Sequence, residues 1–339
     1  MKKIIIYILG FIFLFFIFPA ICTIGPEKMQ TEPTIANEEN TEQTNTEEKQ
    51  YNYEKYKTIK LLHNNTQEVE ELEIDQYLYG VVASEMPANY ETEALKAQAI
   101  VARTYTIYQI INNSQKHENA DICDSYACCQ AWMSKEERIS KWNAEEAETN
   151  WDKIVEAVDS TKGKIVTYDG KPINAFFHSN SGGITESSLN IWGGIDYPYL
   201  KSVETSGEEG YSQYSSDISL TKAELEEKMK NKYNDFSIDY TLEDAIKILE
   251  YTSSNRVKTI KIGNKEIAGT EARTILGLKS TNFTFKIDGD KITFSVIGYG
   301  HGVGMSQTGA DKLAKDGQNC EEIIKHFYTG VEIVEVNSL

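Results

Sequence analysis

Positive charge is scarce in this chain. Its 339 residues hold 34 Lys and Arg against 52 Asp and Glu, a formal net charge of -18. A nucleic-acid binder would show a basic stripe, so that class is excluded. The Gly-x-Ser-x-Gly nucleophile elbow is missing, which argues against Ser179 or Ser181 as a hydrolytic nucleophile. Gly298 to Gly304 is glycine-rich, but its glycines recur at every second residue and match neither a dinucleotide fingerprint nor a P-loop. Such spacing instead suits backbone that must pass close to something large or adopt positive φ. No internal repeat marks the globular part. Cysteine is limited to five residues: Cys22 in an apolar run, Cys320 at the head of a late helix, and the cluster Cys123, Cys128 and Cys129.

The chain does have one long apolar run. Met1-Lys2-Lys3 precedes residues 4–24, about the length that spans a bilayer. The two lysines favour an inside N-terminus, and clear small-residue cleavage sites are lacking. Residues 1–24 are therefore expected to be a retained signal anchor rather than a cleaved signal peptide. This makes a single-pass protein of the cell membrane with its catalytic part outside. Residues 25–50 turn to Glu, Thr, Asn, Gln and Pro, a composition too polar to bury itself, and read as a disordered acidic linker.

The globular remainder reads as α+β. Strands are expected over residues 56–62 and 68–74, joined at Asn64-Asn65, and over 164–168 and 171–178, joined at Asp169-Gly170. Further strands are expected at 256–262, 283–287, 291–297 and 331–336. Helices are expected over residues 75–86, 92–109, 151–161, 241–251, 306–315 and 320–328, and after the Thr221-x-x-Glu224 capping box. The expected organisation is a catalytic domain of residues 51–210 and 290–339 around a substrate groove, with a smaller α/β lobe inserted at 211–289. Trp192-Gly193-Gly194 and Tyr197-Pro198-Tyr199 form an aromatic loop able to line such a groove.

The chemistry centres on Glu85. Asp75 is a candidate N-cap for its helix, and Pro87 ends it. Ile74, Leu78, Val81, Val82 and Glu85 share one helical face, so a carboxylate sits on the apolar side at the negative end of the helix dipole. Desolvation and the dipole both oppose ionisation, as a general acid requires. The alternative is a structural pair with Arg103 or a lysine. In a later loop, His117-x5-Cys123-x4-Cys128-Cys129 offers three thiols and one imidazole, a set suited to structural tetrahedral zinc. The adjacent Cys128-Cys129 pair strains simultaneous ligation, leaving room for water or His178. A disulfide is the alternative.

Four stretches resemble the stage II sporulation protein D family and its amidase-enhancer relatives. They are Gly80 to Pro87, Ala94 to Tyr105, Ala175 to Gly183 and Gly300 to Ala310. The resemblance implies a lytic transglycosylase that cleaves the MurNAc-β-1,4-GlcNAc bond of peptide-free glycan to 1,6-anhydro ends during sporulation engulfment. Glu85 would act first as acid and then as base. Because the muramyl C6 hydroxyl is the nucleophile, the second carboxylate of hydrolases is not needed. Arg103, Ser179, Asn180, Ser181, Gly182, His301 and Gln307 become substrate contacts, with turn chemistry the alternative for the serine loop and a core imidazole the alternative for His301. Some clostridial members carry a comparable Cys/His zinc cluster and others lack it. The implied partners are the amidase stage II sporulation protein P and a further engulfment membrane protein, with no organic cofactor. The competing readings are a non-catalytic wall-binding enhancer of an amidase, a zinc hydrolase, and an adhesion ectodomain.

Overall fold

The computed structural model describes residues 56–112 and 116–336. The expected anchor at 4–24 and linker at 25–50 lie outside them. The single-pass membrane localisation is corrected: among the described residues no helix is long and apolar enough to cross a membrane. The 21-residue helix Thr92–Asn112 carries Glu93, Lys96 and Arg103.

The α+β class holds. Strands β1 (Thr58–Leu62) and β2 (Val69–Glu73) form the expected antiparallel hairpin, followed by helices α1 (Ile74–Glu85) and α2 (Thr92–Asn112). Short β3 (Ile122–Cys123) pairs in parallel with β1, which fixes the start of the cysteine loop. Helices α3 (Lys135–Ile139) and α4 (Ala147–Asp159) lead to β4 (Lys164–Tyr168), which turns at Asp169-Gly170 into β5 (Lys171–Pro172). The expected long second strand is broken, and its end returns as β6 (Phe177–His178). Then come α5 (Ser188–Trp192), β7 (Ser215–Thr221) and α6 (Lys222–Lys232), the last opened by the expected Thr221/Glu224 capping box. Next are β8 (Ile246–Tyr251), β9 (Val257–Ile262), β10 (Lys265–Ala268), α7 (Gly269–Leu276), β11 (Asn282–Asp288) and β12 (Lys291–Ile297). The described chain ends with β13 (Met305–Ser306), α8 (Gln307–Lys315), α9 (Cys320–Phe327) and β14 (Glu332–Glu335).

Helix α2 is the axis of the main core. Its alanines allow close approach, and it is buried on all sides against α1, α4, α8, α9 and β4. A second apolar cluster, including Leu225, Met229, Ile260, Phe283 and Phe294, is drawn wholly from residues 220–296. It lies among the sheets β11-β12-β7 and β10-β9-β8. Strand β12 pairs with β7 along its length, so a lobe boundary at residue 289 would cut through this sheet. The helix expected over 241–251 is also corrected. Leu242, Ala245, Ile246 and Leu249 have helical spacing, but residues 246–251 pair with β9 and bury Ile246 on the second core. Tertiary pairing overrides a short amphipathic pattern.

Gly80 shows how tightly α1 is covered. A Cβ there would lie 2.3 Å from Trp132 Nε1 and 2.5 Å from the Met133 carbonyl oxygen. Gly80→Ala is therefore expected to lower stability by about 1–3 kcal/mol, despite the roughly 1 kcal/mol that alanine gains in helix propensity. Urea unfolding of the two proteins checks this.

Candidate active site

Glu85 is the last residue of α1. The Met86 N–H closes the helix on Val82, and Met86 itself is extended before Pro87. Asp75 is not the N-cap. Glu73 occupies that position without a side-chain cap, and Asp75 lies buried in the first turn. There its carboxylate meets Arg103 Nη2 at 3.1 Å and Lys162 Nζ at 3.3 Å. Arg103 also donates to the carbonyls of Val158, Thr161 and Lys164. It is fully buried. The expected substrate contact of Arg103 falls with that geometry, since Arg103 has no exposed surface, and so does the alternative of a Glu85–Arg103 pair, since the carboxylate partner of Arg103 is Asp75.

The Glu85 carboxyl has a different environment. Its Oε1 accepts the Ala131 N–H at 2.7 Å, and its Oε2 faces Gln307 Nε2 at 3.5 Å. Burial pushes its pKa up to about 7, and these two donors hold it from rising further. No cation contributes to that balance. Because Oε1 takes the short backbone bond and Oε2 only the 3.5 Å contact with Gln307, the transferable proton belongs on Oε2.

The facing wall comes from the loop after β6 and the start of α8. Parallel pairing of β13 with β6 places Ser306 beside His178, and the Thr308 N–H donates to the Ser179 carbonyl. Both segments converge on Glu208, a residue that no sequence motif singled out. One Glu208 oxygen accepts from the Ser181 N–H, Ser306 Oγ and Thr308 Oγ1, and the other from Ser181 Oγ, the Gly183 N–H and Thr205 Oγ1. Ser181 and Asn180 are consequently turned inward and buried, and Asn180 donates to Thr308 Oγ1. Ser179, Gly182 and His301 keep partial exposure, whereas Gln307 is nearly buried against Glu85. The sequence signal that could have flagged Glu208 is faint: an acidic residue among the hydroxyl-rich stretches around 181, 205 and 306.

His178 and His301 pack ring against ring at 5.6 Å. Burial and Arg256 pull the His178 pKa down to about 3, and burial holds His301 well below its usual value. Both imidazoles are neutral near pH 7, so neither competes with Glu85 as a proton donor. His178 Nδ1 bonds the Val303 carbonyl at 3.1 Å, and His301 Nδ1 accepts the Val303 N–H at 3.0 Å. The alternating glycines let this turn close: a Cβ on Gly304 would lie 1.9 Å from the Phe176 carbonyl oxygen.

His117, Cys123, Cys128 and Cys129 come together, with their ligand atoms all within 4.8 Å of one another. His117 Nε2 lies 3.3 Å from Cys129 Sγ and 3.7 Å from Cys128 Sγ, and the two sulfurs are 3.9 Å apart. Adjacent Cys128 and Cys129 thus both reach the centre. His178 is not part of the group, and all of these cysteines are free thiols. Tetrahedral zinc with Zn–S near 2.3 Å implies edges of roughly 3.8 Å, so the donor set fits the ion. The loop then continues through Gln130 directly to Ala131, the residue that holds Glu85.

A family model described as stage II sporulation protein matches residues 62–168. The chain is 38% identical over 282 residues to stage II sporulation protein D of Bacillus subtilis, covering 83% of this chain and 80% of that protein. The chain belongs to the stage II sporulation protein D family. The stage II sporulation protein D of Bacillus amyloliquefaciens is 35% identical, over 83% of this chain and 80% of its own length. The amidase enhancer of Bacillus subtilis is 29% identical over 76% of this chain and 40% of its own length. Membership in the stage II sporulation protein D family assigns the chain to sporulation. The span matched by the family model holds Glu85 and the Cys/His loop, while the wall at residues 178–183 and 300–308 lies beyond it.

The raised pKa of Glu85 has a consequence for stability. The folded chain binds this proton more tightly than the unfolded chain, whose value is near 4.5. The stabilisation is fully present below about pH 4.5 and is lost as pH rises through about 7, on the order of 3 kcal/mol in all. Glu85→Gln is therefore expected to be more thermostable than the parent near pH 8, with the gain vanishing near pH 4.5. Melting curves at the two pH values check the sign.

Proposed function

We propose that this protein is a peptidoglycan lytic transglycosylase that uses Glu85 as its sole acid and base. The observation that carries this reading is a partly exposed carboxyl whose desolvation pushes its pKa up to about 7, with neither a cation nor a second carboxylate among the groups that set that value. Glu208, the carboxylate that Ser306 and Thr308 bond on either side of Gln307, is fully buried and its oxygens are filled by six donors. It cannot act as the second group of a hydrolase. Protonated Oε2 gives its proton to the glycosidic oxygen of a MurNAc-β-1,4-GlcNAc bond as the oxocarbenium-like transition state forms. The carboxylate that remains is held by the Ala131 N–H and Gln307. It then takes the proton of the muramyl C6 hydroxyl as that oxygen closes on C1, giving the 1,6-anhydro product. His301, Ser179 and Gly182 are the remaining substrate contacts of this reading. The strands would be peptide-free glycan, supplied during engulfment by a partner amidase such as stage II sporulation protein P, with a further engulfment protein in the same assembly.

Zinc belongs to the proposal as a structural ion held by His117, Cys123, Cys128 and Cys129. Four protein donors close its coordination, so its contribution is to fix the loop that presents Ala131. Without a cation, burial pushes the Cys129 thiol up to about 12, and a divalent charge among the sulfurs reverses that preference.

Glu85→Gln keeps size and polarity but removes the transferable proton. Turnover of peptide-free glycan strands is expected to fall about 10²–10⁴-fold, with anhydro-ended products from the parent identified by mass analysis. A folded Glu85→Gln variant with full turnover sinks the assignment. The amidase-enhancer relative keeps a second reading in view: a wall-binding activator would yield no anhydro ends from the parent chain.

Elemental analysis with thiol titration after unfolding tests the metal. Stoichiometric zinc with reduced Cys123, Cys128 and Cys129 is expected. Chelation should lower activity while Glu85 is intact, because Ala131 is no longer held. Absence of metal together with a cystine among these residues refutes the site.

A further inference from the structure

Trp192 ends α5 and is 49% exposed. The covered side packs on Phe176, with ring centroids 4.7 Å apart, and on His301 at 5.2 Å. Phe176 packs in turn on Tyr105 at 6.1 Å, and Tyr105 is close enough to Glu85 to feel its charge. An aromatic series therefore leads from the acid to Trp192 in two ring-to-ring steps. Directly after the ring come Gly193 and Gly194, where an added Cβ would meet nothing within 4 Å. About half of Trp192 is thus open to solvent, while its other side is fixed by packing on Phe176 and His301.

An indole held rigid on one side and open on the other suits a flat, part-apolar ring. The C–H face of a pyranose is such a surface, while its hydroxyl edge stays in water. The indole lies against the partly exposed His301, a substrate contact of the function proposed above, so a ring seated on its open face is continuous with that contact. We propose that the exposed face of Trp192 is a stacking platform for a pyranose ring of the β-1,4-linked N-acetylaminosugar strand, one subsite away from the cleaved bond or further. The assignment of that bond to Glu85 rests on the function proposed above.

The test uses the full chain and chitohexaose as probe. In a Glu85→Gln background, Trp192→Ala is expected to bind chitohexaose about tenfold more weakly, while Trp192→Phe keeps most of the affinity. In the Glu85-intact chain, Trp192→Ala should raise KM for peptide-free strands by a similar factor with kcat retained. The parent's tryptophan emission should change on binding, and this change should be absent from Trp192→Phe. That fluorescence comparison decides the matter if Trp192→Ala does not fold. Unchanged affinity in folded Trp192→Ala, a loss confined to kcat, equal losses in the Ala and Phe variants, or no chitohexaose binding by the parent overturns the platform. The two readings fail separately. Anhydro products with unchanged KM in Trp192→Ala refute the platform and leave the acid in place. Trp192-dependent binding without anhydro products from the parent does the reverse.

Discussion

The site is organised around one buried negative charge that has no cationic partner in its hydrogen-bond shell. Glu208 is fully buried, and its carboxylate is compensated by two backbone N–H groups and four hydroxyls. A carboxylate in that position is tolerated only when its lone pairs are filled, since burying a charge without partners is strongly unfavourable. The donors come from three separate stretches: residues 181–183, Thr205, and Ser306 with Thr308. Satisfying Glu208 therefore forces those stretches into one arrangement. That arrangement puts Gln307, which lies between two of the donors, beside Glu85. A half-satisfied network would be worse than an apolar core, so the geometry at Glu85 inherits an all-or-none constraint from the fully buried Glu208.

The carboxyls of fully buried Glu208 and partly exposed Glu85 are opposites in design. Glu208 has six donors and is held as an acceptor. Glu85 has one close donor, from Ala131, and one long one, from Gln307, against strong desolvation. The difference leaves Glu85, and not Glu208, with an oxygen whose donor lies 3.5 Å away. It also explains why a single acid–base residue suffices in the proposed reaction. Two donors are enough to hold the carboxylate after it gives up its proton and too few to keep it ionised beforehand. The neutral imidazoles of His178 and His301 add shape to the wall without adding a competing charge.

Much of the site was legible in the sequence because its signals are local. The apolar face shared by Ile74, Leu78, Val81, Val82 and Glu85 lies within one helix, and Pro87 fixes its end. The alternating glycines from Gly298 to Gly304 announced close backbone approach, and their positive φ angles and short Cβ distances show it. The Cys/His grouping needed only one loop to close. What the sequence did not reveal depends on pairing across long separations. The partner of Arg103 is Asp75, 28 residues earlier, and that pairing keeps Arg103 buried in the core. Glu208 draws donors from up to 100 residues away, so nothing beside it in the chain marks it. Residues 246–251 became a strand because β9 was there to pair with, which a helical hydrophobic pattern cannot anticipate.

The lobe between β7 and β12 joins this constraint through a cation. Arg256 stands at the head of β9, is almost wholly buried, and donates through Nη2 to the Ser181 carbonyl at 2.7 Å. Gly302 is required for that reach, since a Cβ there would lie 2.4 Å from the same nitrogen. Ser181 is thus held from one side by Glu208 through its N–H and hydroxyl and from the other by Arg256 through its carbonyl. The charges of Glu186 and Glu208 favour the ionised guanidinium against its desolvation. A loop fixed at both its donor and acceptor groups has little freedom left, and such pre-organisation is what the proposed reaction needs of the wall beside Glu85. The second core is then more than an appendage: its folding sets Arg256, Arg256 sets Ser181, and Ser181 is shared with the network that places Gln307 against Glu85.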